Sequence, residues 1–394
     1  MMLPERKVQL GTHRNVIREL FEFGKARAAQ VGAENVFDFS IGNPSVPPPQ
    51  ALTDAAIELL RTQDPIALHG YTSAQGDAGV RAVIADNLNS RFGTAYTGDD
   101  LYLTVGAAAA LGCCFHGLTC PGDEFIVFAP YFTEYKVFIE GAGAKLVVIP
   151  PEIEAFQIDF DALETAINEH TKGVVVNSPN NPSGAVYSTE TVKRLAQILK
   201  DKSSQYGHPI YLISDEPYRE IVYDVQLPWL PDYYDNTLVC YSYSKSLSLP
   251  GDRLGYVLVP TGVEDHDLVY AAIMGAGRDL CYVCAPSFIQ QMVARCAGLT
   301  SDISVYRTNR DLLLNSLREM GYHCVQPQGT FYLFPRSLEP DDMAFSERAK
   351  GHDLLLVPGS GFACPGHVRI SFCVPTQRIE RALPAFEALA KEYR

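Results

Sequence analysis

YSYSKSLSLPGDRLGY, residues Tyr241 to Tyr256, sets one lysine, Lys245, among small hydroxyl residues, with Arg253 following it. The run before it, TLVCYS (Thr237–Ser242), is apolar and strand-like, and LSLPG comes after, so Lys245 is expected at the end of a buried strand. A lysine held there loses hydration, which lowers its amine pKa and favours Schiff-base chemistry. Arg253 and the hydroxyls of Ser242, Ser244 and Ser246 suit a phosphate. A Schiff-base lysine beside a phosphate site points to pyridoxal phosphate. Taken alone, the segment reads equally well as a lysine in an ordinary strand-to-loop turn.

Outward from this stretch, short apolar runs alternate with helix-like segments. The expected strands are LYLTV (101–105), EFIVFA (124–129), KLVVIP (145–150), KGVVVN (172–177), IYLIS (210–214), TLVCYS (237–242) and LGYVLV (254–259). Several are apolar almost throughout, as expected of strands covered on both faces. Helical patterns lie between them, such as STETVKRLAQILKDKSSQ, opened by Ser188 with Glu190 close behind. Such alternation predicts an α/β protein whose large domain is a three-layer α/β/α sandwich with a mostly parallel sheet.

The two ends of the chain differ. HRNVIRELFEFGKARAAQ is an expected helix, and IGNPSVPPP, up to Pro49, an expected extended linker passing the site. At the other end, VYRTNRDLLLNSLREMG and QRIERALPAFEALAKEY are expected helices, with TFYLFP, LLLVPG and VRISFC as strands. These ends predict a smaller α+β domain. The expected division is an arm at 1–49 belonging to that smaller domain, a large cofactor-binding domain at 50–287, and the small C-terminal domain at 288–394.

Composition narrows the function. The 394 residues are 47% hydrophobic and 20% charged, an ordinary globular balance. A net charge of −14 argues against a nucleic-acid or anionic-membrane partner. No run approaches the roughly 20 apolar residues that span a bilayer, and the N-terminus has no apolar core of signal-peptide length. A cytoplasmic location is expected. The ten cysteines are dispersed, mostly in apolar runs, and read as reduced packing residues. Cys281 and Cys284 form a CxxC with no second pair to support a metal, and no metal is expected.

Other strand ends carry suitable chemistry. In TVGAAAALGCC, Gly106, Ala107 and Ala108 leave room for a phosphate against the N-terminus of a helix, though such a helix start is more commonly just close packing. NSPNNPSG places Asn181 in a turn, either donating to a cofactor oxygen or serving only the loop. In ISDEPYRE, Asp215 directly follows an apolar strand and needs a cationic or donor partner. A protonated pyridine nitrogen is one such partner, with Tyr218 beside it; a capping aspartate with a packed tyrosine is the competing account. PYFTEY (130–135) offers an aromatic for stacking on a flat cofactor, though core packing is the commoner use of such aromatics. VRISF buries Arg369, whose fork suits a substrate carboxylate or a structural ion pair.

Together, YTSAQGDAGVR, TVGAAAAL, PYFTEY, NSPNNPSG, SDEPY, SYSKSLSLPGDRLGY and RISF resemble, in order and spacing, the motifs of the class I/II aminotransferases, the aspartate-aminotransferase-like group of fold-type I pyridoxal-phosphate enzymes. The resemblance runs from Gly42 to Arg369. It implies that Lys245 carries pyridoxal 5'-phosphate as a Schiff base and moves the proton. It implies that Asp215 pairs with the ring nitrogen and that Asn181 and Tyr218 hold the ring oxygen. Phosphate contacts would come from Gly106, Ala107, Ala108, Ser242, Ser244 and Arg253, and from Tyr71 of a second copy in a homodimer. Phe132 takes the stacking position and Arg369 that of the α-carboxylate clamp, with Gly42 close by. Two departures stand out: alanines fill the phosphate loop where many relatives have a hydroxyl residue or lysine, and Phe132 stands where many have tryptophan or tyrosine.

The implied reaction is ping-pong transamination between an L-amino acid and a 2-oxo acid such as 2-oxoglutarate. Arg278, in GAGRDLCYVCAPS, lies near the position that holds a side-chain carboxylate in one branch of the family, which favours aspartate and glutamate. Two alternatives remain. One is a C–S or β-lyase on the same fold, where the same carbanion expels a leaving group. The other is a non-catalytic ligand-binding regulator.

Overall fold

A computed structural model of the chain describes residues 3–12 and 16–394. Twelve strands occur among these, in chain order β1 (Phe37–Asp38), β2 (Leu101–Thr104), β3 (Glu124–Phe128), β4 (Lys145–Ile149), β5 (Thr171–Asn177), β6 (Tyr211–Asp215), β7 (Thr237–Ser242), β8 (Gly255–Leu258), β9 (Tyr332–Leu333), β10 (Leu354–Leu355), β11 (Val357–Pro358) and β12 (Val368–Ser371). The seven expected strands are β2 to β8. They form one sheet in the order β2-β8-β7-β6-β5-β3-β4. Only β8 runs against its neighbours; β7, β6, β5, β3 and β4 pair in parallel.

Successive side chains of these strands point to opposite faces, and both faces are covered. Phe125, Val127, Val175, Ile213 and Cys240 pack beneath Ala110, Leu111 and Phe115 of the helix Ala107–Leu118 and Ile273 of the helix His266–Asp279. On the other face, Ile126, Val174 and Leu212 meet Leu195 and Leu199 of the helix Thr189–Tyr206, whose first turn is capped by Ser188 accepting from Thr191 N at 3.1 Å. This is the three-layer α/β/α arrangement. Strand β4 departs from the expected buried run: it lies at the sheet edge, with Val148 37% exposed, because no eighth strand covers it.

The smaller α+β part is built from both ends of the chain. Phe37 and Asp38 pair in parallel with Leu354 and Leu355, and β12 lies between β11 and β9. Helices Ser304–Glu319 and Thr376–Lys391 pack against these two small sheets, burying Leu313, Leu317, Ile379 and Phe386 with Phe39, Phe331 and Ile370. Each such fully buried side chain contributes roughly 1.5–3 kcal/mol of transfer free energy.

The expected N-terminal helix spans Val16–Val31; its first three anticipated residues, 13–15, lie outside the described residues. An unanticipated helix, Glu5–Thr12, buries none of its residues.

Candidate active site

Strands β5, β6 and β7 run in parallel and end together, so Asn177, Asp215 and Ser242 arrive at one edge, where ligands of open α/β sheets gather. A cavity of about 300 Å³ opens there. Its wall brings together Asp215 and Ser242 at the strand ends with Tyr218, Ser244, Lys245 and Arg253 from beyond them. Ala107, Ala108, Phe132 and Asn181 complete the large-domain side, and Gly42 and Arg369 close it from the smaller part. Gly106 directly precedes the two alanines. Two expected residues are not there: Tyr71 is 89% exposed, and Arg278 lines a separate hollow with Ala74, Tyr102 and Cys281.

Lys245 sits in a single helical turn, Tyr243–Ser246, begun by Ser242, whose hydroxyl accepts from Ser244 N at 3.2 Å. Its Nζ donates to the Gly42 carbonyl at 2.7 Å and lies 5.5 Å from the Phe331 ring centroid. Burial lowers the amine pKa from its usual value to about 8, against an upward pull from Cys373 and with Arg369 and Arg253 adding like charge.

Asp215 is 4% exposed. Tyr135 Oη donates to its Oδ2, and Asn177, its register partner on β5, donates to the same oxygen at 3.3 Å and to the Asp215 carbonyl at 2.9 Å. Its Oδ1 is buried with no partner. Burial raises the carboxyl to about 7, with the Tyr135 hydrogen bond opposing and Glu216 adding to the rise. Glu216 itself turns away to a buried pair with Arg219 and accepts from Ser214 Oγ at 2.7 Å.

The phosphate-sized corner is made by backbone and Arg253. Gly106, at φ +91°, opens the helix Ala107–Leu118, and a Cβ there would come within 2.6 Å of the Arg253 guanidinium. Arg253 itself has a left-handed backbone, φ +55°, a conformation that costs a non-glycine residue on the order of 1 kcal/mol. Its NH1 donates to Pro250 O at 2.9 Å and reaches Ser244 Oγ at 3.4 Å. Helix N–H groups, serine hydroxyls and a guanidinium form an anion cradle that does not need a side chain at positions 107 and 108.

Arg369 is buried and donates to Asn181 Oδ1 at 3.0 Å and to Ser40 O at 2.6 Å, while its Nε has no partner. It lies over the Tyr332 ring, 4.6 Å from the centroid. The Tyr332 hydroxyl in turn meets that of Tyr218 at 3.0 Å, and it occupies the space that a Cβ on Gly42 would need.

Among the residues that the sequence did not single out are Asn177 and Tyr332 in the cavity wall and Tyr135, which lies behind Asp215. Asn177 ended the quoted run KGVVVN and Tyr135 stood in PYFTEY, so proximity to strand ends was their only signal. Tyr332 carried none, since TFYLFP reads as an ordinary buried strand.

A buried carboxylate with one unmatched oxygen, an anion cradle, a depressed amine and an arginine with an unmatched donor fit a phosphorylated aromatic cation and a carboxylate-bearing substrate. The comparisons with known proteins agree. A sequence model for aminotransferase class I and II matches residues 34–386. Aspartate aminotransferase of Thermotoga maritima is 30% identical over 370 residues, covering 92% of this chain and 93% of that protein. Aspartate/prephenate aminotransferase of Thermus thermophilus is 31% identical over 356 residues, 88% of each. Among solved structures, an aminotransferase from Eubacterium rectale superposes with a TM-score of 0.98 at 58% identity over all of both chains. Thermus thermophilus aspartate aminotransferase with maleate gives 0.87 at 26% identity, over 99% of this chain and 100% of that one. The chain belongs to the class I and II aminotransferases.

Proposed function

We propose that this aminotransferase uses pyridoxal phosphate to move an amino group between an L-amino acid, aspartate or glutamate foremost, and a 2-oxo acid such as 2-oxoglutarate, in two alternating half-reactions. The observation that carries the reading is Asp215, whose buried, unmatched Oδ1 shares a cavity with the depressed amine of Lys245. Asp215 would hold a protonated pyridine nitrogen through that oxygen, a partner that would favour the ionised carboxyl. Asn181 and Tyr218 suit the ring oxygen, Phe132 the ring face, and Ala107, Ala108, Ser242, Ser244 and Arg253 the phosphate.

When bound, the cofactor accepts the electron pair left as the substrate Cα–H bond breaks. The residues do the rest. Lys245, with an amine near 8, takes up and returns the proton close to neutral pH. Arg369 presents two donors to the α-carboxylate, and its ties to Asn181 and Ser40 fix the fork before substrate arrives.

The names of the Thermotoga and Thermus relatives support aspartate as donor. Tyr71 and Arg278, outside this chain's own cavity, suit a homodimer in which each copy completes the other's site. Exposed Ile66, Leu268 and Val283 supply apolar surface for such contact. We also place the domain limits after residues 49 and 287, and the protein in the cytoplasm; no described helix is long and apolar enough to cross a membrane.

The test is to titrate the cofactor-loaded protein with L-aspartate and follow loss of the cofactor's absorbance, then restore it with 2-oxoglutarate. Reversible conversion is expected. Pyruvate and ammonia released from cysteine-type substrates without an acceptor would instead favour a lyase.

A further inference from the structure

A second cavity, of about 260 Å³, shares no lining residue with the catalytic one or with the hollow that holds Arg278. Arg91 of the helix Ala78–Phe92, Glu220, and the tyrosines Tyr241, Tyr243 and Tyr256 form its polar wall. Glu220 is a half-matched charge there. Its side chain is 6% exposed, its Oε1 accepts from Arg91 NH1 at 2.9 Å, and its Oε2 is buried with no partner among the described residues. A buried carboxylate oxygen without a donor costs free energy that a bound donor recovers. Arg91 is the complement: its side chain is 36% exposed, and its Nε and NH2 make no hydrogen bond among the described residues. Burial raises the Tyr241, Tyr243 and Tyr256 phenols above their usual range and the charge of Glu220 adds to each rise, so all three stay neutral hydroxyls.

The two charges decide what fits. A bare cation is drawn by Glu220 and repelled by Arg91, and a bare anion meets the reverse. A zwitterion lying along the pair gives its ammonium to Glu220 Oε2 and its carboxylate to the spare Arg91 donors. Ile84, Leu88 and Leu299 add hydrocarbon to the wall, which favours an apolar side chain. We propose that this cavity is a second binding site, separate from the catalytic one, for a free α-amino acid with a small apolar side chain. It adjoins the turn that carries Lys245. Tyr243 opens that turn, Tyr241 Oη donates to Ser246 Oγ at 2.8 Å, and Ser301 N, next after Thr300 of the cavity wall, donates to Ser246 O at 2.7 Å.

The chain carries its own reporter. Trp229, its single tryptophan, stacks on Phe92 with ring centroids 4.1 Å apart, and the Arg91 guanidinium lies 5.1 Å from the same Phe92 ring. The probe is 2-aminoisobutyrate, a zwitterion with no Cα hydrogen to lose. Added to the cofactor-loaded protein, it should give a saturable change in Trp229 fluorescence, with methylammonium and acetate each at least roughly tenfold weaker. Glu220→Gln and Arg91→Met should each raise the half-saturating concentration by roughly tenfold or more. Conversion of the cofactor by L-aspartate should stay within about twofold of wild type in both. Absence of a saturable change would mean that water alone fills the cavity, and overturns the inference. Methylammonium binding as tightly as 2-aminoisobutyrate marks a bare-cation site and overturns it too. So does a fluorescence change that follows the cofactor's absorbance and persists in both variants, which places the ligand in the catalytic cavity. Should Glu220→Gln not fold, judged by its circular dichroism, Arg91→Met decides alone.

Discussion

The hydroxyls of Tyr218 and Tyr332 lie 3.0 Å apart, joining a residue beyond β6 to one on β9 by a hydrogen bond buried between the sheet edge and the smaller part of the chain. Tyr332 also supports Arg369 from below, so one ring serves both the cofactor side and the substrate side of the cavity.

Replacing Tyr332 separates these roles. Tyr332→Phe keeps the ring under Arg369 and removes the hydroxyl; kcat should fall roughly three- to tenfold, the worth of about one hydrogen bond, with KM little changed. Tyr332→Ala should raise KM as well. Steady-state kinetics with L-aspartate distinguish the two, and an equal effect on KM in both variants would contradict the assignment.

Asp215 makes the stability of the cofactor-free protein pH-dependent. Its carboxyl is raised to about 7, so the folded form holds the proton more tightly than the unfolded chain. The stability it confers is full below the ordinary carboxylate range and is lost as pH rises through about 7, by up to roughly 4 kcal/mol. Asp215→Asn should flatten that part of the melting profile between about pH 4 and 7 and lower kcat at least about a hundredfold. A variant melting profile that keeps the wild-type slope would count against it.

Lys245 acts in the opposite sense. With its amine lowered to about 8, the folded form carries a penalty at neutral pH that is relieved as pH rises from about 8 toward the usual lysine range. Lys245→Met should raise the melting temperature of the cofactor-free protein at pH 7, by about 1–3 kcal/mol of stability, while cutting transamination at least roughly a thousandfold. Near-normal turnover in this variant would end the case for Lys245 as the base.

Gly42→Ala should disable the site from the arm side. The added methyl meets the Tyr332 hydroxyl, and one of the two has to move. KM for amino donors is expected to rise at least about tenfold, from a displacement of the order of 1 Å. Gly42→Ala combined with Tyr332→Leu should recover part of that loss in KM; no recovery would place the damage elsewhere.

Arg278→Ala should lower kcat/KM for aspartate roughly a hundredfold, the loss of a close charge pair, with the effect on leucine below threefold or so. An equal loss for both donors would show that Arg278 supports the fold and not the substrate.

The large sheet was readable because its strands are short, apolar and bounded by polar turns, and TLVCYS matched β7 from first residue to last. Lys245, Asp215 and Arg369 stood out in the sequence for a related reason: a charged residue inside a buried strand or at its end has few structural uses, and the structure brings all three to one cavity. Asn177 and Tyr135 escaped notice because their role comes from register and packing, 38 and 80 residues from the aspartate they support. The link from Arg369 to Ser40 spans 329 residues and exists only once both chain ends share a sheet. Asn181 lies in the turn that NSPNNPSG indicates, but its side-chain oxygen accepts from Arg369, which no local pattern discloses.

Ser40 and Gly42 stand two residues apart on the arm, and their carbonyls accept from Arg369 and Lys245, the two cations assigned to the substrate carboxylate and to the proton. A shift of that strip of backbone would move the partners of both cations together, so the placing of the clamp and the placing of the base are coupled through the arm.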